Sequence, residues 1–530
     1  MVPTFLGTHK KVPLNHSEPE GKSAAIALVR LPAAVGPQST EYRGPILFNP
    51  GGPGGSGVEL ILAEGRDLSS IVGPQFDLVG FDPRGVGRSE PRVSFYETAV
   101  ERELWQLQAT HELEHSNHDL ADTWGRALVT SRLASERDND VLGHINTDQT
   151  ARDMLKITEA HGYEKLKYWG FSYGTILGAT FAAIFPDKVE RLILDGVVDT
   201  NDYYSTAWAT NLRDTSKVLQ YFFDACSFVG PSKCAFHAET PAQIEKNLID
   251  LYHSLKTHPV PVRTADSYGL VDYASLRYTI FRSFYAPWAS FPRLAEGLAD
   301  LAKGNGTKLF MMQEKDRFEC SCAGRTDDYV FGKFGQDAET AILCNDGIPI
   351  PGTYEDTVEW YEEALEFSEW SSVWAGIRIS CSGWKHASTQ HFRGPIEGNT
   401  SFPLMFIGNT ADPVTPLAAA HKMSKAFPGS VVLQQHSPGH CSVTAPSPCT
   451  QAHVRAYFVN GTLPKPDTWC YTVGNPFTNH TVPELLSVSD TALNTQMSFS
   501  TGENDQDLLA AVIRLSTRST RQLPNAPLQF

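Results

Sequence analysis

The stretch Tyr168-Trp169-Gly170-Phe171-Ser172-Tyr173-Gly174-Thr175 places a serine at the centre of a Gly-x-Ser-x-Gly pattern. A short apolar run at 166–169 leads into it, and a helix-like run at 175–185 follows it. Small residues on both sides allow a strand to turn sharply into a helix, so that the serine hydroxyl stands clear of the backbone. The stretch therefore predicts a nucleophile elbow around Ser172. A serine in an ordinary glycine turn is the alternative.

Length and composition set the frame for this motif. The 530 residues are enough for two domains or for one large domain with an insertion. With 41% hydrophobic and 20% charged residues, the chain can build a sizeable core. A net charge of −16 argues against nucleic acid and against an anionic membrane as partners. We also expect no membrane span, because no apolar run reaches about 18 residues.

Upstream of the elbow lies a glycine-rich segment, 50–57, directly after a predicted strand at 45–49. Such a density of glycine suits neither a helix nor a strand, but it lets backbone N–H groups approach a ligand closely. In a serine hydrolase that ligand is the oxyanion of a tetrahedral intermediate. A phosphate-binding loop is the competing interpretation, although the Lys-Ser/Thr pair of a P-loop is absent here.

Apolar strands alternate with helical patterns along both ends of the chain. This alternation predicts an α/β fold in which a mostly parallel central sheet carries helices on both faces. The turn at 82–89 follows one of these strands, and we expect Asp82 and the neighbouring arginines to hold loops rather than to take part in chemistry. The predicted strands are 26–31, 45–49, 76–81, 166–169, 191–194, 403–407 and 430–435, and helices are predicted at 148–161 and 175–185.

The pattern changes between 201 and 398, where amphipathic, aromatic-rich stretches replace the strands. We therefore predict three parts: a first core segment at 1–200, a mainly helical cap at 201–398, and a second core segment at 399–530. The last part includes a helix at 505–515. Inside the cap, the acidic run at 355–369 is expected to be a solvated helix face, with a collar for a cationic substrate as the alternative.

Two further residues complete a catalytic pattern. Asp412 follows the predicted strand at 403–407, and the histidines His436 and His440 follow the last strand. A carboxylate at such a strand end can orient a histidine, and the chain order Ser, Asp, His is that of hydrolases built around a nucleophile elbow. Spacing alone leaves His436 and His440 both open, although His440 follows a glycine and lies further out on its loop.

A metal site must be weighed against this triad. The segment His111-Glu112-Leu113-Glu114-His115 matches the H-E-x-x-H pattern of zinc proteases. A third ligand is required, but Ala121 occupies the metzincin position, and Glu136 is the remaining candidate. The surrounding acidic residues are typical of a solvated helix. We therefore interpret the match as coincidence and predict neither a metal nor an organic cofactor.

Together these motifs resemble the tripeptidyl/prolyl aminopeptidase group of α/β-hydrolases over nearly the whole chain. The resemblance implies Ser172 as nucleophile, Asp412 as orienting acid and His440 as base, which selects His440 over His436. It also implies that Gly52 and Tyr173 donate backbone N–H groups to the oxyanion. The motifs that carry the resemblance lie at 49–57, 80–89, 170–175, 185–189, 194–199, 412–416 and 439–442.

The activity that this resemblance implies is that of a serine hydrolase that works through an acyl-enzyme. The substrate would be a peptide from which a prolyl-type residue or a tripeptide is released at the N-terminus. The alternative is an esterase, a lactonase or another hydrolase that acts on a small acyl substrate with the same triad. A non-catalytic binding protein is a third interpretation, and such a protein should have lost a member of the triad.

Cysteines and sequons bear on the compartment. The chain has nine cysteines and Asn-x-Ser/Thr sequons at Asn15, Asn305, Asn399, Asn460 and Asn479. Both features favour an oxidising route. We expect a secreted protein whose leader is missing from this sequence, with a cytoplasmic protein as the alternative. The family resemblance implies the disulfides Cys344–Cys381 and Cys449–Cys470, and an odd number of cysteines leaves at least one thiol unpaired.

Overall fold

The computed structural model describes residues 5–109, 112–113, 118–313, 335–386, 391–478 and 503–518. The strands are β1 (Leu6–Pro13), β2 (Ser23–Leu31), β3 (Pro45–Asn49), β4 (Asp77–Phe81), β5 (Leu166–Phe171), β6 (Val189–Asp195), β7 (Val260–Arg263), β8 (Tyr268–Val271), β9 (Met405–Ala411), β10 (Val431–Pro438) and β11 (Trp469–Tyr471). The helices before the elbow are α1 (Gly57–Val72), α2 (Ala99–Gln106), α3 (Asp119–Glu136) and α4 (Thr147–Ala160). The remaining helices are α5 (Tyr173–Ile184), α6 (Thr200–Tyr204), α7 (Thr215–Val229), α8 (Pro241–Thr257), α9 (Tyr273–Ser283), α10 (Pro287–Leu301), α11 (Thr307–Gln313), α12 (Gly335–Asp346), α13 (Tyr354–Phe367), α14 (Ser371–Trp374), α15 (Gly376–Ile379), α16 (Leu417–Ser424), α17 (Pro448–Asn460) and α18 (Glu503–Thr517).

One large sheet organises the molecule, with the strand order β1-β2-β4-β3-β5-β6-β9-β10-β11. At one side of the sheet, β2 runs antiparallel to the edge strand β1 and to β4, and the pairs from β4 to the other edge strand, β11, are parallel. The predicted mostly parallel sheet is thus confirmed. Since the carboxyl ends of parallel strands meet at one edge of a sheet, Ser172, Asp195 and Asp412 gather at the same edge.

Both faces of this sheet are covered, as predicted. Successive residues of a strand point to opposite faces, and in β5 Tyr168 joins one buried apolar cluster while Trp169 joins the other. Helices α4 and α5 contribute to the first cluster, which continues into the helices between β6 and β9. Helices α1, α17 and α18 contribute to the second. The elbow strand is therefore enclosed on both sides.

The chain between β6 and β9, referred to below as the insertion, is mainly helical and runs from α6 to α15 with the β7–β8 hairpin within it. Its treatment as a separate cap at 201–398 stays a prediction. Along the acidic run, Asp356 pairs with Arg378 at 3.2 Å. The other six acids are exposed, which agrees with a solvated helix face: Glu355, Glu359, Glu362, Glu363, Glu366 and Glu369.

Several elements went unpredicted. Strand β1 has mostly exposed residues, and β11 is only three residues long, so neither carries an apolar run. The β7–β8 hairpin interrupts an otherwise helical insertion.

The predicted C-terminal helix is present as α18, and it packs on α1 through an ion pair between Arg514 and Asp67 at 2.8 Å. It therefore reaches the sheet through α1.

The turn after β4 holds loops together, as predicted. Asp82 accepts hydrogen bonds from Ser56 Oγ at 2.5 Å, from Val58 N at 3.1 Å and from Arg88 N at 2.9 Å. Burial is the main effect on the pKa of Asp82 and raises it, while these hydrogen bonds oppose the rise. Because Ser56 also caps α1, the carboxyl group fixes the end of the glycine-rich loop.

A buried ion pair lies beside this turn. Arg84 Nε and Nη2 reach the two carboxylate oxygens of Asp153 in α4 at 2.8 and 2.6 Å, and the two side chains are 0% and 1% exposed. Arg84 also donates to the backbone oxygens of Pro13 and Leu14, and His16 Nε2 lies 2.8 Å from Asp153. This cluster attaches the edge strand β1 to α4.

Replacement of Asp153 by asparagine should therefore be strongly destabilising, because it leaves the guanidinium of Arg84 buried without its counter-charge. We expect a loss of about 3–5 kcal/mol in the free energy of unfolding, measured by urea denaturation. Asp250→Asn is the matched control, since Asp250 pairs with Lys246 on the surface at 2.6 Å and should cost less than about 1 kcal/mol. Equal effects of the two substitutions would contradict this account.

Candidate active site

Ser172 stands alone between β5 and α5 in an unusual backbone conformation, with φ 56° and ψ −123°. Few residues other than glycine adopt such angles, which cost about 1–3 kcal/mol and need support from the surroundings. Hydrogen bonds on both sides provide that support. Ser172 N donates to the Asp195 carbonyl at 3.0 Å, and the Ser172 carbonyl accepts Thr175 N at 2.8 Å and Thr175 Oγ1 at 2.6 Å.

The glycines around Ser172 are required by close contacts. A Cβ on Gly170 would lie 2.4 Å from the Gly174 carbonyl oxygen. A Cβ on Gly51, where φ is 97°, would lie 2.5 Å from the Phe171 carbonyl oxygen and 2.8 Å from Ser172 Cβ. The glycine-rich loop therefore lies directly against the elbow. The sequence analysis did not single out Gly51, although this residue directly precedes Gly52, for which a role was predicted.

The two predicted oxyanion donors, Gly52 and Tyr173, are next to the residues that make this contact in the sequence, since Gly52 follows Gly51 and Tyr173 follows Ser172. A Cβ on Gly51 would also lie 3.1 Å from Tyr173 N, so the glycine-rich loop passes close to that N–H. Tyr173 is the first residue of α5. Its N–H is one of the helix donors that have no intrahelical partner, and the helix dipole adds positive potential there. The loop is held by a hydrogen bond from Gly51 N to Asn49 Oδ1 at 2.9 Å.

Asp412 is fully buried just after β9 and accepts several hydrogen bonds. Its Oδ1 accepts the backbone N–H groups of Val414 at 3.0 Å and Thr415 at 2.8 Å, and its Oδ2 accepts Cys441 N at 3.0 Å. His440 Nδ1 lies 3.0 and 3.1 Å from the two oxygens. The three backbone donors fix the plane of the carboxylate.

His440 lies two residues after β10, on a loop that the fold holds tightly. Its backbone N–H donates to the Tyr285 carbonyl at 2.9 Å, and the rings of Tyr285 and His440 pack edge to face with centroids 5.1 Å apart. Asn409 Nδ2 donates to the carbonyl oxygens of Gly439 and Cys441, both at 2.8 Å. His436, in contrast, is exposed and packs 5.4 Å from the Tyr471 ring. Of the two histidines, His440 is the one that contacts Asp412.

A second buried carboxylate joins the elbow to this histidine loop. Asp195 ends β6, and its carbonyl oxygen accepts Ser172 N at 3.0 Å and Cys441 Sγ at 3.4 Å. Its side chain accepts Ser442 N at 2.8 Å and Ser442 Oγ at 2.6 Å. Sequence reasoning assigned Asp195 no role. The available signal was an acid at the end of the strand that follows the elbow helix.

Burial shifts two pKa values in this cluster. It raises the pKa of Asp195 to about 6, with the hydrogen bonds from Ser442 and Trp169 opposing the shift and the charge of Asp412 adding to it. Burial also raises the pKa of the Cys441 thiol well above its usual value, and the charges of Asp195 and Asp412 act in the same direction. Cys441 therefore stays protonated and is a packing residue rather than a nucleophile.

The zinc-like motif lies mostly outside the described residues, since His111 and His115 are not among them. Glu112 is buried, with its Oε2 3.8 Å from Arg277 Nε, and Glu136 is exposed at the end of α3. Among the residues that the structure describes, two groups of possible metal ligands lie close together. One includes the disulfide-bonded Cys449 and Cys470, and the other is the set Asp412, His440 and Cys441.

The cysteines largely follow the prediction. The disulfides Cys344–Cys381 and Cys449–Cys470 are both present, and a third joins Cys226 to Cys234. Cys441 is a free, buried thiol, whereas Cys320 and Cys322 lie outside the described residues. In the described part of the chain, no helix combines the length and the apolar character that crossing a membrane requires.

The chain is similar in sequence to two families and to several known proteins. Residues 44–230 match the family described as alpha/beta hydrolase fold, and residues 366–470 match the family described as TAP-like protein. The chain is 28% identical to serine protease Hip1 of Mycobacterium tuberculosis H37Rv over 473 residues, which are 87% of this chain and 86% of that protein. It is 27% identical to tripeptidyl aminopeptidase of Streptomyces lividans over 477 residues, 88% of this chain and 83% of that one. It is 26% identical to carboxylesterase B of Mycobacterium tuberculosis H37Rv over 473 residues, 87% and 85% of the two chains.

The buried carboxyl of Asp195 should make stability depend on pH. Its pKa is about 6 in the folded protein and about 3.9 in an unfolded chain. In the wild type, the protonated Asp195 carboxyl therefore contributes fully to the free energy of unfolding below about pH 4. This contribution is lost as the pH rises through about 6. Asp195→Asn does not titrate. From pH 4 to pH 7.5, its unfolding free energy should thus gain on that of the wild type by up to about 3 kcal/mol.

Urea unfolding of both proteins across this pH range measures the effect. Asp187→Asn is the control, because the Asp187 side chain is 76% exposed and its replacement should leave the pH profile unchanged. A difference between wild type and Asp195→Asn that does not vary with pH would show that the carboxyl titrates normally.

Proposed function

We propose that this chain cleaves acyl bonds through Ser172, Asp412 and His440, on the basis of its similarity to the alpha/beta hydrolase and TAP-like families and to a tripeptidyl aminopeptidase. The observation that carries the proposal is the contact of His440 Nδ1 with both oxygens of Asp412. In chain order these residues follow Ser172, which occupies the sharp strand-to-helix turn at the same edge of the sheet.

The proposed cycle begins with proton transfer from Ser172 Oγ to His440 Nε2. The serine oxygen attacks the substrate carbonyl, and the imidazolium then returns the proton to the leaving amine or alcohol. A water molecule, activated by the same histidine, hydrolyses the acyl-enzyme and regenerates the serine. The hydrogen bond from Nδ1 to Asp412 keeps the imidazole in the tautomer whose Nε2 can accept a proton, and it stabilises the imidazolium.

Asp412 suits this task because its own surroundings hold it still. It accepts three backbone N–H groups in addition to the histidine. The carboxylate therefore keeps its orientation while the imidazole gains and loses a proton. Thr415 Oγ1 lies 3.2 Å from His440 Nδ1 and offers the ring a second polar neighbour.

The backbone N–H groups of Gly52 and Tyr173 are the proposed donors to the oxyanion. Each such donor contributes about 3 kcal/mol to transition-state stabilisation. The close approach of Gly51 to the elbow supports this assignment, because it brings the loop alongside Tyr173 N. A side chain at Gly51 would displace the loop from Tyr173 N. The proposed oxyanion site therefore requires a glycine at this position.

The proposed substrate is a peptide cleaved near its N-terminus, with release of a prolyl-type residue or a tripeptide. The relatives named serine protease and tripeptidyl aminopeptidase support peptide hydrolysis. The second candidate is ester hydrolysis on the same residues, because a relative of nearly equal identity is named carboxylesterase B. Three disulfides support a secreted enzyme, since such bonds persist in oxidising compartments. A cytoplasmic location is the alternative.

Ser172→Ala should abolish turnover, and Asp412→Asn should lower kcat by about 10⁴-fold. The measurement is hydrolysis of a matched panel: aminoacyl and tripeptidyl anilides with a free amine, the same anilides N-acetylated, and short-chain aryl esters. An N-terminal peptidase cleaves the free-amine anilides and rejects the acetylated ones. His436→Ala is the matched control and should keep wild-type rates.

The outcomes separate the candidates. Ester cleavage without any anilide turnover would assign the site to an esterase and retain the triad. Full activity of Ser172→Ala, or a loss in His436→Ala that equals the loss in His440→Ala, would overturn the assignment of the residues. Unchanged activity after treatment with EDTA is expected from this metal-independent chemistry.

A further inference from the structure

The end of α12 in the insertion is fastened to the start of α4 in the core. Asn345 Nδ2 donates to the carbonyl oxygens of Leu142 and Ile145, which precede α4, at 2.6 and 2.9 Å. Asp346 Oδ1 accepts the backbone N–H of Thr147, the first residue of α4, at 2.8 Å. The end of α12 and the start of α4 are therefore fixed to each other.

A chain of hydroxyl groups connects this junction to the residue after the nucleophile. Thr147 Oγ1 donates to Asp346 Oδ2 at 2.5 Å, and it lies 2.6 Å from the hydroxyl of Tyr173. A hydroxyl group has one proton to donate. Since Thr147 gives its proton to Asp346, the Tyr173 hydroxyl donates to Thr147. All three side chains are buried, so they are shielded from competition by bulk water.

The Tyr173 ring is connected to Asp346 by a second route. It contacts the Tyr203 ring, with the two centroids 6.0 Å apart, and the Tyr203 hydroxyl donates to Asp346 Oδ2 at 2.7 Å. Tyr203 lies in α6, at the beginning of the insertion. Two helices of the insertion, α6 and α12, thus hold one side chain of the elbow.

This side chain and one of the proposed oxyanion donors belong to the same residue. The carbonyl side of the peptide between Ser172 and Tyr173 is held by hydrogen bonds from Thr175. The N–H side has no intrahelical partner, because Tyr173 is the first residue of α5. The direction of this N–H therefore depends on how the Tyr173 side chain is anchored. A small misplacement of a catalytic group lowers the rate strongly.

We infer that Thr147 is a positioning residue for catalysis, which holds the Tyr173 hydroxyl so that the Tyr173 N–H points to the oxyanion. The inference rests on the proposed serine-hydrolase function. Asp346 is the anchor through which the insertion holds Thr147 in place. The insertion then contributes to the geometry of the oxyanion site, although neither Thr147 nor Asp346 touches the reacting atoms.

Tyr173→Phe and Thr147→Val test the inference, because each removes one hydroxyl group of the link and nearly keeps the shape of the side chain. For both variants we expect kcat to fall about 5- to 50-fold, which is less than the loss of a whole oxyanion donor. KM should change by less than about twofold, because the interaction matters only in the transition state. The fall should appear with whichever substrate the wild type cleaves, anilide or ester, since both form the oxyanion.

Two further readouts separate positioning from a loss of stability. The double variant, Tyr173→Phe with Thr147→Val, should be no slower than the slower single variant, because both substitutions break the same link. Phenylboronic acid forms a tetrahedral adduct with a catalytic serine. Its inhibition constant should rise by the factor by which kcat/KM falls, as expected for an analogue of the transition state.

A matched control lies on the same helix. Thr180 follows Tyr173 by seven residues, about 10 Å along α5, and its Oγ1 lies 2.8 Å from the Tyr204 hydroxyl. Both residues are buried, and Tyr204, like Tyr203, belongs to α6. Tyr204→Phe and Thr180→Val therefore remove an equivalent link between insertion and core, away from the elbow. Both should keep kcat within about twofold of the wild type, because no oxyanion donor depends on this link.

The possible results separate the inference from the proposed function. Wild-type kcat in Tyr173→Phe and Thr147→Val, with Ser172→Ala inactive, would reject the positioning role and leave the triad in place. Additive losses in the double variant, or equal losses in the two control variants, would assign these hydroxyl groups to general packing and also overturn the inference. Full activity of Ser172→Ala would reject the proposed function, and the inference with it.

Discussion

A single backbone constraint, the positive φ of Ser172 between β5 and α5, determines much of the surrounding structure. A serine in that conformation is held only where neighbours fix both of its peptide groups. The Asp195 carbonyl and Thr175 do so here. The same sharp turn brings the elbow so close to the loop at Gly51 that no side chain fits between them. The glycine pattern of the sequence follows from this contact.

The second organising feature is a pair of buried carboxylates at the ends of neighbouring strands. Asp195 ends β6 and Asp412 follows β9, and both accept hydrogen bonds from the same short loop. Asp412 contacts His440 Nδ1 and accepts a hydrogen bond from Cys441 N. Asp195 accepts hydrogen bonds from both the backbone N–H and the hydroxyl of Ser442. Because the Asp195 backbone also holds Ser172 N, one strand end sets the positions of the elbow and of the histidine loop together.

Much of this was predictable from the sequence, and the physical reasons are clear. Buried parallel strands are continuous apolar runs, so the predicted strand at 191–194 lies within β6. The prediction stopped one residue short because Asp195 is polar and looks like a loop residue. Its burial depends on hydrogen bonds to Ser442, which lies far away in the sequence. Strand β1 is mostly exposed and β11 has only three residues, so neither forms an apolar run long enough to predict a strand.

The candidate site divides in the same way. Ser172, Asp412 and His440 stand next to glycines and strand ends, where local sequence is informative. Gly51 and Asp195 could not be given a role, because their significance arises from contacts with Ser172 and Ser442, which lie far away in the sequence. The acidic run at 355–369, which attracts attention in the sequence, is largely solvated. Charge density in a sequence therefore says less about the site than the position of a single acid at the end of a buried strand.

The most direct test of the central claim, that Ser172 is the activated nucleophile, is labelling with a fluorophosphonate followed by intact mass measurement and peptide mapping. We expect one adduct per chain, located on Ser172, with labelling strongly slowed in His440→Ala and unaffected in His436→Ala. An adduct on another residue, or hydrolysis by a wild type that the reagent neither labels nor inhibits, would contradict it.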